Sequence, residues 1–265
     1  MHRFLFSLAV VFSQCLITLA ADPAKPEPTE WKAGVASAKI TPEKPLRMAG
    51  YAGRKEPAEG TEQDLFAKAL AVEDAAGNRA VFLTLDLIGV IEQLRADVTS
   101  QVQEQYQLPP QSLLMNASHT HCGPAYGRED AKEYYDDLVV TLVKTVGTAL
   151  EKMQPARLSW SAARCSVAMN RRTPTATGYR NHPNPDGRVD HQVPVLRVDD
   201  TNGKLNAVMF GYACHNTTMG FRKWLGDYAG FAQEYFEKDH PGVTALFMMG
   251  CGGDQNPYTR SELHY

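Results

Sequence analysis

The sequence predicts an α/β fold in which mixed β-sheets carry flanking helices and the candidate site lies at the carboxyl ends of strands. One observation is that four apolar, strand-like segments each run directly into a polar cluster, over residues 80–86, 112–121, 205–215 and 243–257. The others are two hairpin signals and three segments with helical periodicity. Ligands collect just beyond the carboxyl ends of strands in open α/β sheets. The four polar clusters therefore form one candidate site.

The predicted strands are short apolar or alternating segments separated by turn residues. They occupy residues 33–40, 65–73, 80–85, 112–118, 157–169, 193–198, 205–212 and 243–249. Turns rich in Asp, Asn and Gly at residues 74–78 and 199–203 join two neighbouring pairs as hairpins. Hairpins are antiparallel, whereas strand–helix–strand units are parallel. The sheet should therefore be mixed.

Three helices are predicted between these strands. Residues 91–107 form an amphipathic segment that ends before Pro109, and residues 129–153 carry apolar side chains at three- and four-residue steps before Pro155. A shorter helix is predicted over residues 227–240. The long segment over residues 171–189 is rich in Pro, Asn and Gly and is predicted as a loop, and loops of that length are more often functional than accidental.

The composition is that of an ordinary globular protein. The chain has 265 residues, 43% of them hydrophobic and 22% charged, with a formal net charge of -3. A nucleic-acid surface needs a basic stripe, which the sequence lacks, so no nucleic-acid partner is expected.

The N-terminus has the pattern of a secretory signal peptide. His2 and Arg3 precede an apolar run over residues 4–19, and small residues follow it. We therefore expect a signal peptide over residues 1–20 and a flexible leader over residues 21–30, with export to the periplasm or the medium. The alternative is an uncleaved membrane anchor.

Three histidines carry the strongest chemical signal. In extended backbone, residues i and i+2 point to the same side, so His119 and His121 either converge on one ion or divide the work between metal binding and proton transfer. His215 ends another apolar strand and supplies a third imidazole in the same topological position. Three nitrogen ligands with an open fourth position suit a Lewis-acidic zinc ion. The structural alternative is that each histidine serves packing alone.

Carboxylates and backbone N–H groups extend this candidate site. Asp86, Asp190, Asp227 and Asp254 are candidates for an extra ligand or for carboxylates that orient the histidines, although a surface or capping role is the favoured interpretation for each one taken singly. The glycines of residues 250–257 permit close backbone approach, so that N–H groups there could stabilise an oxyanion. A tight structural turn is the alternative.

Four cysteines follow the signal peptide, at Cys122, Cys165, Cys214 and Cys251. An even number in an exported protein permits disulfides, and the wide spacing argues against a cysteine zinc site. A thiol beside the histidines could also be a ligand or a nucleophile. Small buried residues or disulfide halves are the favoured interpretation.

Taken together, these segments resemble the neutral/alkaline, non-lysosomal ceramidase family over residues 31–260. The segments that carry the resemblance are GVASAKITP at 34–42 with MAGY at 48–51, SHTHCGP at 118–124, NRR at 170–172 with NP at 184–185, CHNTTM at 214–219 and GDQNP at 253–257. They are similar, in order, to the family's opening segment, its S-H-T-H-S-G-P motif, its N-R-S stretch with the following loop, its second histidine motif and its nucleophile segment G-D-V-S-P.

The resemblance implies a zinc-dependent amidase that splits ceramide into sphingosine and a fatty acid. A small-molecule or lipid substrate, with peripheral membrane contact through that lipid, is implied with it. The resemblance further implies that His119 and His215 bind Zn²⁺, that His121 assists proton transfer, and that Arg171 helps to hold the substrate or the oxyanion. Asp254 and Asn256 lie in the segment similar to the family's nucleophile segment and are candidate catalytic residues.

The sequence departs from the family pattern in two respects. Asn256 stands at the family's serine position, and an amide side chain donates and accepts hydrogen bonds but cannot act as a nucleophile. The family also supplies a glutamate and a tyrosine to the zinc from beyond this motif. Glu262 and Tyr265 lie too near the terminus to match them, so the ceramidase-like catalytic domain at residues 31–265 is expected to be C-terminally incomplete.

Two other functions compete with this interpretation. A calcineurin-like metallophosphoesterase shares H-T-H and G-D-x-N fragments, but that class needs an early D-x-H, which this sequence lacks. The other alternative is a catalytically degenerate exported binding protein, which Asn256 favours.

Overall fold

The computed structural model describes residues 31–258. The expected signal peptide and leader over residues 1–30, together with Glu262 and Tyr265, lie outside the described residues. Within residues 31–258, no helix is long and apolar enough to cross a membrane.

The described chain contains runs of consecutive strands that are interrupted by three α-helices. The strands β1 to β14 occupy, in chain order, Trp31–Lys39, Gly60–Thr61, Phe66–Glu73, Arg79–Leu85, Leu113–Ala117, Gln154–Arg164, Ala168–Asn170, Arg172–Thr175, Gly178–Asn181, Gln192–Asp200, Leu205–Tyr212, Lys223–Trp224, Thr244–Met249 and Gln255–Pro257. The helices α1 to α3 occupy Glu92–Tyr106, Lys132–Glu151 and Asp227–Asp239, with 3₁₀ turns at Pro110–Ser112 and Glu129–Ala131.

Eight strands form one large mixed sheet, in the order β13-β11-β10-β6-β1-β3-β4-β5. The outermost pairs, β4 with β5 and β11 with β13, are parallel, and every pair between them is antiparallel. The predicted α/β class with a mixed sheet and flanking helices is therefore confirmed.

Helices α1 and α2 cover one face of the half of this sheet that is formed by β1, β3, β4 and β5. Because strand residues alternate between faces, Ala67, Ala69 and Ala71 of β3 pack into the same core as Leu94 of α1 and Leu142 of α2. A small residue is needed where the layers are closest. A Cβ on Gly34 of β1 would lie 2.2 Å from the Ala149 carbonyl oxygen of α2.

The other face of this half packs against the β10–β13 half, because the sheet folds over on itself. Leu70 of β3, Met209 of β11 and Leu246 of β13 share a second apolar core. Lys68 of β3 reaches across the fold, and its Nζ donates to the Ala245 carbonyl at 2.9 Å. The two edge strands β5 and β13 are thereby brought together along a line that we call the seam.

The seam explains why the polar clusters meet. In the strand order above, β4 and β5 run in the opposite direction to β11 and β13. In a flat sheet their carboxyl ends would lie at opposite ends. Folding of the sheet brings these ends together at the seam, so the meeting depends on curvature as well as on strand-end position.

Two predicted elements differ from the structure. The strand predicted over residues 157–169 is divided into β6 and β7, because β7 leaves the large sheet to pair with β14. The loop predicted over residues 171–189 contains the hairpin of β8 and β9. Its turn lacks the Asn-Gly or Asp-Gly signature of short hairpins, and the sequence pattern therefore did not reveal it.

Candidate metal centre

The side chains of His119, His121 and His215 converge, and their candidate ligand nitrogens all lie within 4.8 Å of one another. The Nε2 atom of His119 lies 3.2 Å from Nε2 of His215 and 3.4 Å from Nε2 of His121. A tetrahedral zinc ion with bonds of ~2.0–2.1 Å holds its ligand nitrogens about 3.3–3.4 Å apart. The measured spacing fits a small tetrahedral cation.

Backbone carbonyls fix the orientation of two of these rings. The Nδ1 atom of His119 lies 2.6 Å from the Ile88 oxygen, and Nδ1 of His215 lies 2.8 Å from the Gly252 oxygen. A carbonyl only accepts hydrogen bonds, so each Nδ1 carries a proton and each Nε2 of the neutral rings presents a lone pair. This arrangement is the usual support for a metal-binding histidine. Two lone pairs facing each other at 3.2 Å favour a bound cation.

The aspartates predicted to join or orient the histidines lie elsewhere. The cluster in the described part of the chain contains histidines alone. The carboxylates of Asp86, Asp190 and Asp227 accept hydrogen bonds from other backbone N–H groups. The favoured alternative of a structural role therefore holds for these three residues, because the turns after the strands present the carbonyls of Ile88 and Gly252 to the rings instead.

The convergence of His119 and His121 does not come from an extended strand. Strand β5 ends at Ala117, and the backbone of His119 is left-handed, with φ of 60°. The alternation rule for extended backbone therefore does not apply here, and a turn brings the two rings together.

The loop that contains the MAGY segment at residues 48–51 packs against His121. Gly50 has φ of +96°, and a Cβ there would lie 2.4 Å from Cγ of His121. The Tyr51 ring meets the His121 ring edge-on with centroids 4.8 Å apart. The Arg54 guanidinium donates to the His121 carbonyl and lies 4.5 Å from the centroid of the Tyr51 ring. The sequence did not show that this loop forms a wall of the site.

The environment of His121 keeps its imidazole uncharged. Its Nδ1 atom is buried and has no hydrogen-bond partner in the structure. Burial, together with the repulsion of a positive charge by the neighbouring His119, His215, Arg54 and Arg171, lowers the pKa of His121 to about 3. At neutral pH this ring is unprotonated and has a lone pair to offer to a cation.

Arg171 connects the histidines to the glycine-rich segment after β13. Its backbone N–H donates to the Asp254 carbonyl at 2.7 Å. Its guanidinium donates to the Gly253 carbonyl at 2.8 Å, to Oδ1 of Asn256 at 3.2 Å and to Nε2 of His215 at 3.1 Å. The predicted residues Arg171, Asn256 and His215 are thus in contact, whereas Asp254 contributes a backbone carbonyl.

A cavity of about 230 Å³ adjoins this group. Arg171 and Asn256 are among its polar lining residues, and Met169, Pro183 and Tyr258 are among its apolar ones. The cavity therefore combines apolar surface with a polar group, Arg171, that contacts His215.

None of the four cysteines of the described chain forms a disulfide, so the disulfide interpretation was wrong for them. Cys122 and Cys214 are buried in different apolar clusters, as small core residues. Burial raises the pKa of Cys122 to about 11, which keeps its thiol protonated and unsuited to metal binding.

The fold and the site define an α/β protein with a histidine cluster suited to a divalent metal ion. Residues 31–250 match the family described as neutral/alkaline non-lysosomal ceramidase, N-terminal. The chain belongs to this family, and the resemblance seen in the sequence is confirmed.

Individual relatives are similar at moderate identity. The chain is 25% identical to a neutral ceramidase of Pseudomonas aeruginosa over 269 aligned positions, covering 92% of this chain and 39% of the relative. It is 28% identical to neutral ceramidase B of Dictyostelium discoideum over 243 positions, covering 81% of this chain and 34% of the relative. The chain thus spans well under half the length of these relatives.

Solved structures share the fold. The crystal structure of neutral ceramidase from Pseudomonas aeruginosa superposes with a TM-score of 0.76 at 23% identity, covering 90% of this chain and 41% of that one. A ceramidase complexed with C2 superposes with a TM-score of 0.75 at 24% identity, covering 86% of this chain and 39% of that one.

Proposed function

We propose that this chain forms the N-terminal part of a zinc-dependent hydrolase that cleaves the N-acyl amide bond of ceramide or a related lipid. Family membership and the names of the relatives support the amide-hydrolase class. The observation that carries the metal assignment is the pair of Nε2 atoms, on His119 and His215, that face each other at 3.2 Å while both Nδ1 atoms bind carbonyls.

His119 and His215 hold the zinc ion in this proposal. Neutral imidazole suits zinc well, and the hydrogen bonds from both Nδ1 atoms to backbone carbonyls fix the Nε2 atoms that would bind it. A bound zinc ion supplies Lewis acidity toward an amide carbonyl.

The remaining residues bind the substrate and manage protons. His121 accepts and returns a proton through its uncharged ring. Arg171 donates to the His215 nitrogen that would hold the metal. With that lone pair directed at the ion, the same N–H of Arg171 would donate to a substrate oxygen and stabilise developing negative charge. Asn256 holds the guanidinium in place through Oδ1. Because Asn256 is not a nucleophile, water is the attacking group.

The substrate in this proposal is a lipid with a polar amide next to an apolar chain. The cavity beside Arg171 and Asn256 offers the matching combination of polar and apolar walls. A lipid substrate resides in a membrane or a micelle, so we also propose peripheral contact with a lipid surface.

A catalytically inactive binding protein is the second candidate. Asn256 at the family's serine position favours it, since an amide side chain cannot act as a nucleophile. Such a protein would bind metal and lipid without turnover. The metallophosphoesterase alternative is superseded by the family assignment.

The test combines metal binding with turnover. The chain is stripped with a chelator, reloaded with zinc, and assayed with a short-chain fluorescent ceramide. We expect one zinc ion per chain, and we expect His119→Ala and His215→Ala each to lose zinc affinity by at least about 100-fold and to lose hydrolysis. His240→Ala, an exposed change in the turn after α3, is the matched control and should behave as the wild type.

The outcomes separate the candidates. Zinc binding without hydrolysis of any N-acyl lipid would support the inactive binding protein. Hydrolysis that persists after complete metal removal, or in His119→Ala, would contradict the proposed metal role.

Export is a separate proposal that rests on the N-terminal sequence pattern. Expression of the full chain in a Gram-negative host, followed by N-terminal sequencing of the periplasmic fraction, tests it. A mature protein that begins near Ala21 is expected, and a cytoplasmic protein that begins at Met1 would contradict export.

A further inference from the structure

One side chain joins the two edges of the large sheet at the seam. Oδ1 of Asn116 on β5 accepts the backbone N–H of Met249 on β13 at 2.8 Å, and Nδ2 of Asn116 donates to the Met249 carbonyl at 3.1 Å. The amide group thus satisfies both backbone groups of one residue, as a neighbouring strand would do. β5 and β13 lie at opposite ends of the strand order, so this contact joins edges that no ladder connects.

The contact lies close in sequence to the groups that form the histidine cluster on both sides of the seam. Asn116 precedes His119 by three positions, and Met249 precedes Gly252 by three positions. Gly252 supplies the carbonyl that orients His215. The His119 ring is anchored on the other side of the seam, by Ile88 after β4.

We propose that Asn116 is a positioning residue for the metal centre. By tying β5 to β13, it sets the separation between Nε2 of His119 and Nε2 of His215. This inference rests on the proposed function, because it takes those two nitrogens as the metal ligands.

The physical argument is one of tolerance. A usable metal site needs its ligands within about 0.2 Å of the preferred distances. Each ring is held by a carbonyl on its own side of the seam, so a shift of one edge relative to the other changes the spacing of the nitrogens directly. The paired hydrogen bonds of Asn116 resist this shift, and both of their partners on β13 are backbone groups of Met249.

Side-chain variants separate positioning from folding. Asn116→Ala removes both hydrogen bonds, and Asn116→Asp keeps the acceptor for the Met249 N–H but replaces the donor with a group that repels the Met249 carbonyl. Val72→Ala is the control, because it removes apolar volume from the core between the two halves of the sheet at the end of β3 remote from the histidines.

Zinc affinity is measured by competition with a chromophoric chelator, and the ligand geometry by the visible absorption spectrum of the cobalt(II)-substituted protein. Outer contacts of metal ligands typically alter metal affinity by about 10–100-fold. We expect a loss in this range for Asn116→Ala, a smaller loss for Asn116→Asp, and cobalt(II) spectra that differ from the wild type in both. Val72→Ala should lower thermal stability while leaving affinity and spectrum unchanged.

The results distinguish this inference from the proposed function. If the wild type binds zinc and both Asn116 variants bind it with unchanged affinity and spectrum, the positioning role is wrong and the proposed function stands. If Asn116→Ala does not fold, the comparison of Asn116→Asp with Val72→Ala decides in the same way. If the wild type itself binds neither metal, the proposed metal centre is wrong, and the role of Asn116 falls with it.

Discussion

Gly50→Ala tests whether the loop before β2 sets the position of His121. A Cβ at Gly50 would lie 2.4 Å from Cγ, 2.5 Å from Cβ and 2.7 Å from Cα of His121. Carbon atoms normally approach to about 3.5–4.0 Å, so the overlap exceeds about 0.8 Å. The His121 ring or the loop has to move by a comparable distance.

Two costs add in this variant. Alanine at φ of +96° costs about 1 kcal/mol relative to glycine, and overpacking in a closed site costs about 1–3 kcal/mol more. We therefore expect Gly50→Ala to lower the free energy of unfolding by about 2–4 kcal/mol. A displacement near 1 Å of a reacting group can reduce turnover by about 100-fold, and we expect a loss of that order.

Gly77→Ala is the matched control. Gly77 has φ of +84°, and its added Cβ would meet nothing within 4 Å. It should lose about 1 kcal/mol and keep full activity and zinc affinity. Urea unfolding, zinc competition and ceramide hydrolysis measure the three quantities. The reasoning would be refuted if Gly50→Ala matched Gly77→Ala in turnover and zinc affinity.

Two further predictions concern buried charges. Burial raises the pKa of Asp86 from 3.8 to about 6, so the folded state holds this proton more tightly than the unfolded state. Protonated Asp86 therefore stabilises the folded state by about 3 kcal/mol. This stabilisation is fully present below about pH 4 and is lost as the pH rises through 6. Asp86→Asn should remove this part of the pH dependence in urea unfolding, and an unchanged profile would contradict the assignment. Lys68 is buried and pairs with Glu237 at 2.6 Å, so Glu237→Gln, which leaves the ammonium without its carboxylate, should destabilise by about 2 kcal/mol, whereas Lys68→Met should cost less. Equal losses in thermal unfolding would argue against the pair.

The local pattern of the sequence predicted most of the elements. The strand predicted over residues 80–85 appears as Arg79–Leu85, and the helix predicted over residues 91–107 appears as Glu92–Tyr106. Apolar periodicity and proline boundaries are properties of a few consecutive residues, so they can be read without knowledge of the fold. The division of residues 157–169 into two strands escaped this reasoning, because it depends on a distant partner, β14.

The residue types of the site were also legible in the sequence. His119, His121, His215, Arg171 and Asn256 were singled out by motif and position, and the structure brings them into one group. Their roles remain proposals. The sequence did not show what orients the rings, because a backbone carbonyl exists at every residue and carries no signature of its own.

By itself, the sequence determined the α/β class, the mixed sheet, the family and the imidazoles available for a metal ion, since each follows from local pattern or motif. The tertiary structure alone decided that His119 and His215 face each other, that Gly50 presses on His121, and that Asn116 joins β5 to β13. Those contacts join residues far apart in the chain. They arise from the folding of a long twisted sheet onto itself, which is a collective consequence of packing over many strands.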